Sequence, residues 1–127
     1  MATCLVVDDS ESMREVASDI LSAFGHEVRE APDADTALEA CSADGVGIDV
    51  VLLDWDLPSL GALDFLRGAA SLAPRPMIVL CATENDARQF GLARAVGAGH
   101  HVLKPYDAET LGGVLAEMGV ASAKAVA

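Results

Sequence analysis

Basic side chains are scarce in this sequence. Eight Lys and Arg stand against twenty Asp and Glu in 127 residues, a formal charge of -12. There is no Lys/Arg cluster, so the positive footprint that nucleic acids require is missing and direct nucleic-acid binding is disfavoured. The same imbalance favours basic protein partners or a bound divalent cation. Aromatic residues make up only 4% of the chain, which leaves an aliphatic, alanine-rich core. Cys4, Cys41 and Cys81 are odd in number and include no CxxC pair. They suit neither a disulfide framework nor a zinc site, read as small core hydrophobes, and fit a reducing compartment. No apolar segment approaches the about 20 residues that span a bilayer. The N-terminus has no basic stretch of the kind that opens a signal peptide. A cytoplasmic protein without membrane insertion is expected.

What is present is a large apolar fraction, 52%, enough for one domain around one core at this length. The expected boundaries are 1–120 for the domain and 121–127 for a frayed, alanine-rich tail. The central stretch is Val50 to Leu53, four large aliphatics running into Asp54, with Pro58 beyond. Such a run reads as a strand buried on both faces. Similar short runs are Thr3–Val7, 26–30 around Val28, Met77–Cys81 and His100–Leu103. Between them lie helical patterns. The first has Met13, Val16, Ala17, Ile20, Leu21 and Phe24 on one face, started by Asp9 or Ser10 and closed by Gly25. The second starts at Pro32–Asp33, and the third runs from about Ala62 to Leu72 on Leu63, Leu66 and Ala70. The fourth starts at Thr83 or Glu84 and runs through Val96, and the fifth is capped by Asp107. Strands alternating with helices imply an α/β fold, a doubly wound five-stranded parallel sheet with five helices.

The polar residues gather at the strand exits: Asp8 and Asp9 after the first, Asp54 after the third, Thr83 near the fourth and Lys104 after the fifth. In a doubly wound sheet these ends share one edge. Asp54 alone would be an ordinary turn residue, and Asp8 and Asp9 an ordinary helix start. Together, three carboxylates repel one another unless a hard cation neutralises them, and oxygen-only ligands suit Mg²⁺. Lys104 adds a compact positive charge for a phosphoryl oxygen. This is the equipment of phosphoryl transfer, where catalysis rests on positioning and charge neutralisation. Asp54 is the candidate nucleophile.

The motifs LVVDDS, VLLDWDLP, IVLCATEND, GAG and VLKPY resemble those of response-regulator receiver domains over residues 2 to 119. The resemblance is to the stand-alone, CheY-like chemotaxis type, and most of all to motility regulators of alphaproteobacteria. It implies a flavodoxin-like fold with strand order 2-1-3-4-5 and a role in two-component signalling. Asp54 matches the residue that accepts a phosphoryl group from a sensor kinase histidine. Asp8 and Asp9 match the acidic pair holding Mg²⁺, with the backbone carbonyl of Asp56 as a further ligand. Lys104 matches the phosphoryl-sensing lysine, followed by Pro105 through a cis peptide. The partners implied are a sensor histidine kinase, or a histidine phosphotransfer protein, and a downstream protein read through the fourth helix, fifth strand and fifth helix, about 86–118. A monomer is expected, acting as a switch in chemotaxis and motility rather than as a turnover enzyme.

Departures from the family pattern are specific. The switch position at the end of the fourth strand falls on Cys81 counting from Pro76 and on Ala82 counting back from Lys104. Only Thr83 offers a hydroxyl, and it is the expected switch residue, with Cys81 and Ala82 as alternatives. His101 stands where the partner aromatic of the fifth strand belongs, Tyr106 where Phe follows the proline, and Gly61–Ala62 where Asp-Gly is usual. Asp56 adds a carboxylate two residues after the acceptor, which favours metal and disfavours an anionic donor. His26 and His100 read as surface residues, and Trp55 as a shield on the acceptor's rim. Other readings are a phosphorelay or phosphate-sink receiver and a phosphorylation-independent pseudo-receiver. More remote is a phosphatase of the haloacid-dehalogenase type, suggested by Asp54-x-Asp56. Flavin binding is disfavoured by the acidic loop after the first strand.

Overall fold

The computed structural model describes residues 1–43 and 47–120, so the tail at 121–127 and most of the loop at 44–47 lie outside the described residues. Five strands, β1 (Thr3–Val7), β2 (Glu27–Ala31), β3 (Val50–Asp54), β4 (Met77–Ala82) and β5 (His100–Leu103), alternate with five helices. These are α1 (Glu11–Ala23), α2 (Ala34–Ser42), α3 (Gly61–Ala69), α4 (Ala87–Ala95) and α5 (Ala108–Glu117). The sheet order is β2-β1-β3-β4-β5, and every pairing is parallel. This is the flavodoxin-like architecture expected from the motifs.

Alternation along each strand sorts the core into two layers. Leu5, Val7, Val51, Leu53, Ile78, Leu80 and Ala82 face the side covered by α2, α3 and α4. Cys4, Val6, Val50, Leu52, Val79, Cys81 and Val102 face α1 and α5. The aliphatic run of β3 is buried on both faces because helices cover both, which is why it shows no polar alternation. Side-chain oxygens start four helices. Ser10 accepts from the Met13 amide, Asp33 from Thr36, Asp86 from Arg88 and Gln89, and Asp107 from Thr110. These bonds hold the Asp33 and Asp107 carboxyls below their usual range.

Several local expectations need correction. Val16 is 43% exposed, because α1 buries the line through Ala17 and Leu21 and Val16 falls on its flank. The buried stripe of α3 is Ala62, Phe65, Leu66 and Ala69. Leu63 is only half-buried and Ala70 is exposed, a rotation of the helix that brings Phe65 into the core. Thr83 does not start α4, since the chain bends at Thr83 and Glu84 and Asp86 takes the cap. His26 is buried rather than superficial. Its Nδ1 accepts a hydrogen bond from the Ala2 amide at 3.1 Å. Burial, and then the nearby N-terminal charge, lower its pKa.

Candidate functional site

Parallel pairing fixes the site. Val7 lies beside Leu53 in the β1–β3 register, so Asp8, the next residue, leaves the sheet next to Asp54. Asp54 in turn pairs with Cys81. The Lys104 amide bonds the Ala82 carbonyl at 2.8 Å, which carries the chain from β5 back over the same edge. Lys104 Nζ then reaches both carboxylates, donating to Asp54 Oδ1 at 2.8 Å and to Asp8 Oδ2 at 3.0 Å. The Lys104–Pro105 peptide is cis.

Asp54 and Asp8 are buried, at 2% and 5% exposure. Asp54 Oδ1 also accepts the Asp56 amide at 3.0 Å, and Asp8 Oδ1 accepts the Ser10 amide at 2.9 Å. Both hydrogen bonds to Asp54 fall on Oδ1, so Oδ2 is the oxygen left open for bond formation. Burial pushes the Asp54 carboxyl above its usual pKa. The bonds from Lys104 and the Asp56 amide oppose this, and the Asp8 charge adds to it. For Lys104 burial pulls downward, but the bonds and charges of Asp54 and Asp8 outweigh it and the ammonium is stabilised. Asp9 is exposed, yet Asp8, Asp9 and Asp54 each offer a carboxylate oxygen within 4.8 Å of the others. One lysine against three such oxygens leaves a negative excess. A small hard cation with oxygen preference fits this donor set, and Mg²⁺ is the common one.

The residues expected to relay an event are placed differently. Leu80 pairs with His101, Cys81 with Val102 and Ala82 with Leu103. Cys81 belongs to the layer under α1 and α5, and burial pushes its thiol up to about 12. Ala82 closes β4 on the α4 side, the side to which His101 also turns, stacking on Phe90 of α4 with ring centroids 4.0 Å apart. Burial, then the Arg94 and His100 charges, lower the pKa of His101. Thr83 lies one residue past the strand and is exposed. Its hydroxyl donates to Asp56 Oδ2 at 3.1 Å and its amide to the same oxygen at 3.3 Å. The strand end facing α4 therefore carries a methyl group, and the hydroxyl of the next residue, Thr83, is tied to the Asp56 carboxylate.

Sequence reasoning missed one member of this neighbourhood. Trp55 Nε1 donates to Gln89 Oε1 of α4 at 2.7 Å, beyond any role as a rim shield. Gln89 carries no sequence signal, since one glutamine on an exposed helix face resembles any other. Asp56 projects its side chain to Thr83 rather than into the cluster of Asp8, Asp9 and Asp54.

A doubly wound parallel sheet with paired acids, a strand-end carboxylate and a lysine gathered at one edge defines the class of fold and site. The chain belongs to the response regulator receiver domain family, whose profile matches residues 4–116. It is thus a receiver of two-component signalling. Among curated proteins it is similar to the DNA-binding transcriptional regulator NtrC of Azospirillum brasilense, 33% identical over 110 residues, covering 87% of this chain and 22% of that protein. The sensory transduction protein RegX3 of Mycobacterium tuberculosis is 30% identical over 111 residues, covering 87% of this chain and 48% of that one. The chain thus spans less than half the length of these relatives. Among solved structures, chemotaxis protein CheY4 of Vibrio cholerae superposes with a TM-score of 0.82 at 32% identity, covering 92% of this chain and 98% of that one. A receiver domain protein from Methanospirillum hungatei shares the fold at TM-score 0.82 and 22% identity, covering 93% of each chain. The phosphatase reading of Asp54-x-Asp56 loses its basis, because both residues fall within a receiver match. No helix among the described residues is long and apolar enough to cross a membrane.

Proposed function

We propose that this receiver, residues 1–120, is a phosphorylation switch with Asp54 as acceptor. The observation that carries the reading is Lys104 Nζ set between the buried Asp54 and Asp8, with Asp9 beside them. An Asp54 oxygen attacks the phosphorus of a phosphohistidine on a sensor kinase or phosphotransfer protein. The P–N bond breaks, the imidazole leaves with a proton, and a mixed anhydride forms on Asp54. Hydrolysis reverses the state: water attacks phosphorus, the bond to Asp54 breaks and phosphate departs. Asp8, Asp9 and Asp54, with the Asp56 carbonyl, would hold Mg²⁺, which would supply positive charge for the phosphoryl oxygens. Lys104 holds Asp54 oriented beforehand and meets a phosphoryl oxygen afterwards.

The output is a protein contact on the face of α4, β5 and α5, about 86–118. Leu92, Val96 and Leu103 are exposed on these elements, at 63%, 42% and 38%, and offer apolar side chains to a partner. We assign the chain to chemotaxis and motility control, supported by its likeness to a chemotaxis protein over 92% of this chain, and to the cytoplasm, in keeping with its free thiols, as a monomer. A phosphate-sink role is the second reading, favoured by the methyl group of Ala82 where a switch hydroxyl is usual. Incubation with Mg²⁺ and acetyl phosphate, read by intact mass, tests the acceptor. The expected product is one hydrolysable phosphoryl adduct, absent in Asp54→Asn. Wild-type protein that stays unmodified with saturating Mg²⁺ would leave only the pseudo-receiver.

A further inference from the structure

Two hydrogen-bonded bridges leave the loop after Asp54, one for the first turn of α4 and one for the β4–α4 loop that leads into it, and both start within two residues of Asp54. Trp55 Nε1 binds Gln89 Oε1 at 2.7 Å. Asp56 Oδ2 takes the Thr83 hydroxyl and amide at 3.1 and 3.3 Å. Asp56 is tied to the acceptor itself, since its amide donates to Asp54 Oδ1 at 3.0 Å. The Trp55 amide is fastened to β4 through the Cys81 carbonyl at 2.8 Å. On the far side, Asp86 Oδ1 holds the Arg88 and Gln89 amides at 3.0 and 3.2 Å, so a pull on Gln89 acts on the first turn of α4. Meanwhile the residue that ends β4 toward α4 is Ala82, which has no hydroxyl to follow a phosphoryl group.

We propose that the Trp55–Gln89 and Asp56–Thr83 bridges couple the state of Asp54 to α4, taking the part that a hydroxyl at Ala82 cannot play. This rests on Asp54 being the acceptor. A phosphoryl group on Asp54 changes what Oδ1 can accept from the Asp56 amide, which turns the Trp55–Asp56 segment. Both side-chain bridges sit on that segment and must stretch or re-form with it. A hydrogen bond held in only one of two arrangements shifts their ratio by about fivefold, so two exposed bonds suffice to bias α4 without fixing it. Asp56, Thr83, Trp55 and Gln89 are positioning residues in this scheme, and none is asked to react.

The test is amide NMR of the full chain with Mg²⁺ and beryllofluoride, which mimics an aspartyl phosphate. In wild type, shifts are expected both at Leu53–Trp55 and along Phe90–Ala95. In Gln89→Leu and in Thr83→Val, the α4 shifts fall to half or less while those at Leu53–Trp55 persist, and Thr83→Ser restores the wild-type response. Undiminished α4 shifts in both variants overturn the coupling route. Absence of any shift at Leu53–Trp55 in wild type overturns the acceptor reading itself, a separate failure.

Discussion

The acceptor cluster and the head of α4 lie side by side, yet they are built to opposite standards. In the cluster, the side chains of Lys104, Asp8 and Asp54 are 12%, 7% and 3% exposed, and their bonds measure 2.8 and 3.0 Å. In the β4–α4 loop and the first turn of α4, Thr83 and Gln89 are exposed and so are the bonds they make. Burial strengthens polar contacts and makes each one costly to lose, whereas an exposed bond trades easily with water. In the proposed switch, the difference separates chemistry from response. A nucleophile must be held still before the phosphoryl group arrives, while the segment that reports the event must move at small cost.

Breaking the stiff half carries the largest effect. Lys104→Met leaves two buried carboxylates facing each other without a cation, so the metal-free protein is expected to lose about 3 kcal/mol in urea unfolding. Mg²⁺ recovers part of this by binding the folded state. Thr83→Val provides the contrast, with an expected loss below about 0.5 kcal/mol in the same assay, because its bonds are exposed.

A smaller effect sharpens the electrostatic half of the comparison. The folded Asp54 carboxyl sits above the about 3.9 of an unfolded Asp, mainly through burial. Between these values the folded chain holds a proton that the unfolded chain has released. The group's contribution to stability is therefore full below the unfolded value and is lost as pH rises through the folded one. Asp33 and Asp107, held low by their caps, slope the opposite way. The difference between wild-type and Asp54→Asn unfolding curves isolates Asp54. Without metal, that difference should move against wild type as pH rises from 4 toward neutrality, the window suggested by about 3.9 for free Asp.

The stiff half was legible in the sequence and the soft half was not, for a physical reason. Asp8, Asp9, Asp54 and Lys104 each follow an apolar strand, and the strand period together with parallel pairing dictates where they emerge. Thr83, Asp56, Trp55 and Gln89 meet across loops, where no period links one partner to another. The same reason explains the misplaced start of α4. Thr83 looks like a helix cap until its hydroxyl is seen to be engaged by Asp56, which leaves the cap to Asp86. The burial of His26 has no sequence signal either, because a lone histidine after a glycine turn gives no sign of the Ala2 amide from which it accepts. In α3 the leucine spacing points away from Phe65, the largest fully buried side chain among the described residues.

The claim that chemistry resides in the buried cluster, apart from the bridges to α4, can be tested by one time course. Wild type, Gln89→Leu and Asp54→Asn are incubated with Mg²⁺ and acetyl phosphate, and the phosphoryl adduct is followed by intact mass. The account predicts that wild type and Gln89→Leu are modified at rates within about twofold, since the lost bond is exposed and outside the cluster, and that Asp54→Asn stays unmodified. An adduct that survives in Asp54→Asn, or that fails to form in Gln89→Leu, would contradict it.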